Sequence, residues 1–160
     1  MPLTFTSESA AETAGLGETI GRLLRKGDVL LLQGPLGAGK TVLTQGIARG
    51  LGIEGSVTSP TFILVGQLLG RLPLYHVDLY RIEGAVEAEN LGLDDYFFGD
   101  GVTVVEWPDR APGVMPPDRL HVLLDHAGDN QRRIVLTAHG RRYEELIASV
   151  VGAQTGAGRR

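Results

Sequence analysis

Residues 34–41, Gly34-Pro35-Leu36-Gly37-Ala38-Gly39-Lys40-Thr41, complete a G-x-x-x-x-G-K-[ST] phosphate-binding loop, which works only between a strand and a helix. The flanks meet that demand. Asp28-Val29-Leu30-Leu31-Leu32-Gln33 is a short, bounded apolar run of the kind that forms a buried strand. Residues 42–49 space their apolar side chains three to four apart, as a helix does. The glycines let successive backbone N–H groups turn toward a phosphate chain, and the start of the helix adds partial positive charge. Lys40, one of two lysines in the chain, holds the position that reaches the β- and γ-phosphates, and Thr41 the one whose hydroxyl ligates magnesium. Such a strand–loop–helix unit commits the chain to an α/β fold: a single P-loop NTPase-like domain with a mixed sheet flanked by helices.

At 160 residues there is material for one sizeable core, expected over residues 1–151, with a glycine-rich tail at 152–160 expected to be disordered. The chain has no cysteine, which excludes disulfides, thiolate metal sites and a cysteine nucleophile. The first residues lack a basic segment followed by an apolar one, and no apolar stretch is long enough to span a bilayer. A soluble, cytoplasmic protein with no membrane partner is the expectation. The net charge is −4 and the arginines come only in small groups, such as Arg132 with Arg133, so the chain lacks the basic surface of a protein that grips nucleic acid alone.

Ser7 or Thr6 is placed to cap a first helix reaching about residue 24, ended by Lys26-Gly27. Val57-Thr58-Ser59-Pro60-Thr61-Phe62 reads as a turn-rich loop feeding residues 63–65. Gly70 separates that run from residues 72–80, and the two look like an antiparallel pair. Residues 83–91 are weakly helical, 102–105 form a further strand, 120–125 and 133–137 flank a hairpin turn, and a short helix is expected over 141–151. No strand order follows from these segments.

Phosphoryl transfer is mostly positioning and charge neutralisation, so the loop calls for acids at neighbouring strand ends. Asp78 and Glu106 each end an apolar run. An isolated acid there is ordinarily a solvated strand end or a cap; downstream of a phosphate loop, a metal-binding or water-orienting role is favoured. Glu106 stands where aspartate is commoner. Thr58, Ser59 and Thr61 lie on a proline-stiffened loop that is either an ordinary turn or a segment that senses the γ-phosphate. His76 reads as a packed or hydrogen-bonded strand residue rather than a metal ligand, and Trp107 as either core or a partner anchor.

Taken in order, the phosphate loop, Val57-Thr58-Ser59-Pro60-Thr61-Phe62, Tyr75-His76-Val77-Asp78-Leu79-Tyr80-Arg81 and Val105-Glu106-Trp107-Pro108 resemble the consecutive motifs of the TsaE (YjeE) family. These are small bacterial ATPases needed for threonylcarbamoyladenosine modification of tRNA. The resemblance implies that backbone amides of Leu36, Gly37, Ala38, Gly39, Lys40 and Thr41 hold the phosphates of ATP. It implies that Thr41 and Glu106 bind Mg2+, and that Thr61 and Asp78 belong to switch-like segments beside the γ-phosphate. The segment around Ala10 to Thr13, with Arg132 or Arg133, would lie near the adenine. The implied partners are the threonylcarbamoyl-transferase subunit and its paralogous partner subunit, with tRNA reached mainly through the complex. Position 35 is often acidic in the family and is proline here, on a side chain expected to point away from the phosphates.

The leading reading is therefore an ATPase that drives a conformational step in a tRNA-modifying complex. A small-molecule kinase is the alternative, although residues 79–101 leave little room for an acceptor pocket and an arginine-bearing lid. A nucleotide-gated binding module without useful turnover is the third. A GTPase is disfavoured, since the chain has no Asn-Lys-x-Asp segment.

Overall fold

The computed structural model describes residues 2–54 and 65–158, with no account of the side chains of Ala85 and of residues 155–158. The loop at 57–62, including Thr58, Ser59 and Thr61, lies outside the described residues. Strands β1 (Leu3–Ser7), β2 (Val29–Gln33), β3 (Val65–Leu69), β4 (Pro73–Asp78), β5 (Val102–Glu106), β6 (Arg119–His126) and β7 (Arg132–His139) form one sheet in the order β1-β7-β6-β2-β5-β4-β3. The central four, β6, β2, β5 and β4, are parallel; β3, β7 and β1 add antiparallel edges. β2 has neighbours on both sides that come later in the chain, so its C-terminal end is the point where the strand order reverses, which is where open α/β sheets place ligands.

Helices α1 (Ala10–Leu23), α2 (Lys40–Gly50) and α5 (Arg141–Gly158) cover one face and bury Leu30, Leu32, Val102, Val104, Leu120 and Val122. The short helices α3 (Ala85–Glu89) and α4 (Leu93–Phe97), with two 3-10 turns at Pro108–Arg110 and Pro112–Val114, cover the other and bury Val29, Leu31, Val77 and Val105. The antiparallel β3–β4 pair and the β6–β7 hairpin form as the sequence predicts.

Three expectations change. Residues 3–7 are a strand, so the cap of α1 is Ser9, whose hydroxyl accepts from the Glu12 N–H at 3.1 Å, and not Ser7 or Thr6. α4 was not foreseen, because five residues are too few to show a helical period. The last helix continues through Gly158, so the tail expected to be disordered from residue 152 is helical for most of its length. Once a helix is nucleated, each added residue contributes one hydrogen bond, and that offsets the poor propensity of glycine.

α1 and α2 pack unusually closely, through Gly17 and Gly21 on one and Gly46 and Gly50 on the other. A Cβ on Gly46 would stand 2.1 Å from the Ala14 carbonyl oxygen, and one on Gly17 2.4 Å from that of Leu43. This contact sets α2, and so the phosphate loop at its start, against the sheet. Gly46→Ala must push the helices apart, and overpacking of this kind costs about 1–3 kcal/mol. Urea unfolding should show that loss, and unchanged stability would mean that α1 can shift without cost.

Candidate functional site: a phosphate cleft with an adjoining pocket

The loop's conformation is built from its glycines. Gly37 and Gly39 sit at φ 77° and 104°, a region that side chains with a Cβ resist, and Gly39 caps the start of α2. Pro35 is exposed and is not among the residues lining the cleft, in line with a side chain directed away from the phosphate site. The Lys40 ammonium donates to the carbonyl oxygens of Gly34 and of Pro35, the second at 3.1 Å, and lies 3.8 Å above the centre of the Trp107 ring. Burial pulls its pKa below the usual lysine value, while the charges of Glu106, Asp78 and Asp109 act to raise it.

Asp78 and Glu106 end adjacent parallel strands and are register partners, so both project on the face that carries α2. The ladder runs past them: Leu79 N–H donates to the Glu106 carbonyl at 3.0 Å, and Trp107 N–H to that of Leu32 at 3.3 Å. Trp107 then turns at φ 60°, the only non-glycine residue with positive φ among the described residues. That turn costs about 1–2 kcal/mol and keeps the indole beside Lys40 rather than in line with the strand. Tyr80 packs against the indole with centroids 4.9 Å apart and ring planes inclined at 51°, and the Arg110 guanidinium lies 5.4 and 5.8 Å from the two ring centres. Glu106 is 3% exposed and its Oε2 is 2.5 Å from Nε2 of His76, so His76 is the hydrogen-bonded strand residue that the sequence suggested.

Together Leu36, Gly37, Ala38, Gly39, Lys40, Thr41, Asp78 and Glu106 line one cleft of about 390 Å³, joined by Val42, Tyr80 and Trp107. A smaller pocket of about 140 Å³ adjoins it, sharing Gly37, Gly39 and Val42, and is lined further by Ala10, Thr13, Asn130 and Arg132. Thr13 contributes its methyl group there. Its hydroxyl is spent on Ser7 at 2.7 Å, since the Ser7 hydroxyl donates to the Ser9 carbonyl. Arg132 ties the hairpin to the phosphate loop, donating to the carbonyls of Gln131 at 2.8 Å and Gly37 at 3.2 Å. Arg133 is exposed, alternates to the opposite face and lines neither cavity. Thr61 lies outside the described residues.

Tyr80 and Asn130 join the site without a sequence signal of their own. Tyr80 sits inside the Tyr75-to-Arg81 motif. Asn130 lies in a hairpin turn, where no periodicity marks a residue for function. A second hollow of about 390 Å³ lies at the opposite end of β2, where Asp28 is paired with Arg142 at 2.7 Å and Val29 N–H with the Tyr143 hydroxyl at 2.8 Å.

The family model described as "Threonylcarbamoyl adenosine biosynthesis protein TsaE" matches residues 7–134, a span that holds every residue of the cleft and of its adjoining pocket. The chain belongs to the TsaE family. Among its relatives is a tRNA threonylcarbamoyladenosine biosynthesis protein TsaE of Bacillus subtilis strain 168, 46% identical over 145 residues that make up 90% of each chain. Another, from Treponema pallidum strain Nichols, is 42% identical over 81% of this chain and 96% of its own. The crystal structure of Bacillus subtilis YdiB superposes with a TM-score of 0.83 at 38% identity, over 96% of this chain and 97% of that one. The TsaE-family chain thus has the expected P-loop NTPase-like α/β fold. No helix among the described residues is long and apolar enough to cross a membrane.

Within this TsaE-family cleft, Asp78 carries a stability signature. Burial is the main cause that raises its pKa above 3.8; the Tyr80 N–H at 2.9 Å works against it and the Glu106 charge adds to it. The folded carboxyl therefore keeps its proton to higher pH than the unfolded one. Stability falls as pH rises through that window, and the ionised group burdens the fold at neutral pH. Asp78→Asn should raise Tm at pH 7, with a gain that fades as pH falls toward 3.8. Thermal unfolding across pH checks this, and no gain at pH 7 would contradict it.

Proposed function

We propose that the chain binds Mg–ATP in this cleft and hydrolyses it, and that hydrolysis drives a turnover step of the complex that makes N6-threonylcarbamoyladenosine in tRNA next to the anticodon. The observation that carries the reading is the convergence of the phosphate loop, Thr41, Asp78 and Glu106 on one cleft, with a base-sized pocket opening from the same glycines. Family membership supplies the pathway.

Each residue has a physical part. Amides from Leu36 to Thr41 and the start of α2 cradle the phosphates. The Lys40 ammonium exchanges the Gly34 and Pro35 carbonyls for β- and γ-phosphate oxygens. The donors beside it suit magnesium: one hydroxyl and two carboxylates, all hard oxygens, with no cluster of three acids, histidines or cysteines among the described residues. Magnesium prefers such partial sets, completed by phosphates and water, to all-protein cages. Thr41 and Glu106 would hold it, and it would neutralise charge on the phosphate oxygens. Asp78 and Thr61 would orient the attacking water. The threonylcarbamoyl transfer itself belongs to the transferase subunit and its paralogous partner, which also supply most of the grip on tRNA.

Calorimetric titration tests the reading directly. ATP should bind several-fold tighter than GTP and more tightly with magnesium, since the chain has no guanine-reading Asn-Lys-x-Asp segment. Equal affinities, or indifference to the metal, would overturn it.

A further inference from the structure

We infer that His76 is a positioning residue that fixes the Glu106 carboxylate for magnesium, an inference that rests on the function proposed above. In the parallel β4–β5 register His76 pairs with Val104, and Glu106 is the next residue of β5 on the same face, which makes the two diagonal neighbours. Their bond, 2.5 Å between Nε2 and Oε2, is sealed from water: His76 is 1% exposed and Glu106 3%. Below them on the same face lie Leu74, Val102 and Val104, all fully buried and offering no polar atoms on their side chains.

Two features separate this from ordinary packing. A carboxylate only accepts, so Nε2 is the donor of this bond, and the other ring nitrogen, Nδ1, is buried with no hydrogen-bond partner among the described residues. Removing a polar ring from water for a single bond costs stability, and an aliphatic residue among Leu74, Val102 and Val104 would avoid that cost. What the ring supplies that an aliphatic residue cannot is direction. Glutamate has one more rotatable bond than aspartate, the commoner acid at such a strand end, so its carboxylate needs a second restraint to present one orientation to a cation. A hydrogen bond from a neighbouring group to a metal-ligating carboxylate is the kind of restraint whose loss weakens metal binding about 10–100-fold.

The test is an electron paramagnetic resonance titration of Mn2+ into the chain saturated with a non-hydrolysable ATP analogue. His76→Phe and His76→Leu remove the donor, and His76→Gln keeps one. The donor-less variants should bind Mn2+ at least about tenfold more weakly, His76→Gln should recover most of that loss, and analogue affinity in EDTA should be the same in all. Whichever donor-less variant stays folded by circular dichroism serves. Wild-type Mn2+ affinity in a folded donor-less variant would overturn the inference and leave the ATP reading standing. A fall in Tm and in metal-free analogue affinity that His76→Gln shares in full would overturn it in favour of a structural role. A wild-type chain whose analogue binding draws in no Mn2+ would overturn both.

Discussion

Replacing Lys40 by alanine is expected to abolish the proposed ATP hydrolysis in practice, lowering kcat at least about a hundredfold, and to weaken ATP binding while the fold survives. Among the described residues that line the cleft, Lys40 is the only cation; the rest of the loop offers backbone dipoles. Its ammonium is held at the mouth of α2 by contacts to the loop itself and to the Trp107 ring, not by the core, so truncation leaves the α1–α2 packing and the sheet intact. The protonated amine is also under strain, because burial lowers its pKa. Removing it therefore costs the fold little and the transition state much, since charge accumulates on phosphate oxygens as the γ-phosphoryl group departs. Phosphate release by the variant, with circular dichroism as the control for folding, decides the matter. A folded variant with near-normal release would remove Lys40 from the chemistry.

How much of this was legible in the sequence depends on how local the cause is. The phosphate loop is legible because a phosphate chain imposes a spacing on contiguous residues, with two glycines at positive φ and a lysine where the helix begins. Asp78 and Glu106 are legible because each ends an apolar strand, although only the sheet register shows that they stand side by side. The adjoining pocket is different in kind. It draws on residues 10–13, 37–42 and 130–132, and these meet only because β1 pairs with β7 at the sheet edge. Nothing local marks that pairing, and β1 itself was hidden by Ser7 and Thr6, which look like helix caps. The choice between Arg132 and Arg133 shows the limit most sharply. One residue of strand phase sends Arg132 to the pocket and Arg133 to the opposite face, and that phase is fixed by the β6–β7 register. His76 was legible as a hydrogen-bonded strand residue but its partner was not, because the diagonal to Glu106 exists only once β4 and β5 lie in parallel.

Stimulation by partners is the largest effect expected of this chain: alone it hydrolyses ATP slowly, and docking on the transferase subunit and its paralogous partner accelerates it by about 10³-fold or more. The reason is a shortage of positive charge at the γ-phosphate end. No arginine lines the cleft among the described residues, and residues 57–62, the candidate switch loop, contain neither arginine nor lysine. Two guanidinium groups lie close by, but Arg132 is bonded to the Gly37 carbonyl from the adjoining pocket and Arg110 lies against the Tyr80 and Trp107 rings, and neither is among the residues that line the cleft. A transition-state charge beyond Lys40 and magnesium must then come from a partner, or from an arginine beside the cleft, such as Arg110, moving into it. The exposed Leu36 on the loop and the exposed Tyr80 at the cleft offer a partner apolar footing beside the place where that charge is needed. A phosphate-release assay on the chain alone, then with both partner subunits, then with tRNA added, measures the stimulation. Arg110→Ala separates the two sources: it leaves the stimulated rate unchanged if the partner supplies the charge and abolishes the stimulation if docking frees Arg110 to act. Turnover by the isolated chain at the full complex rate would show that the cleft is already complete, and that the chain is an ordinary ATPase with no need of partners.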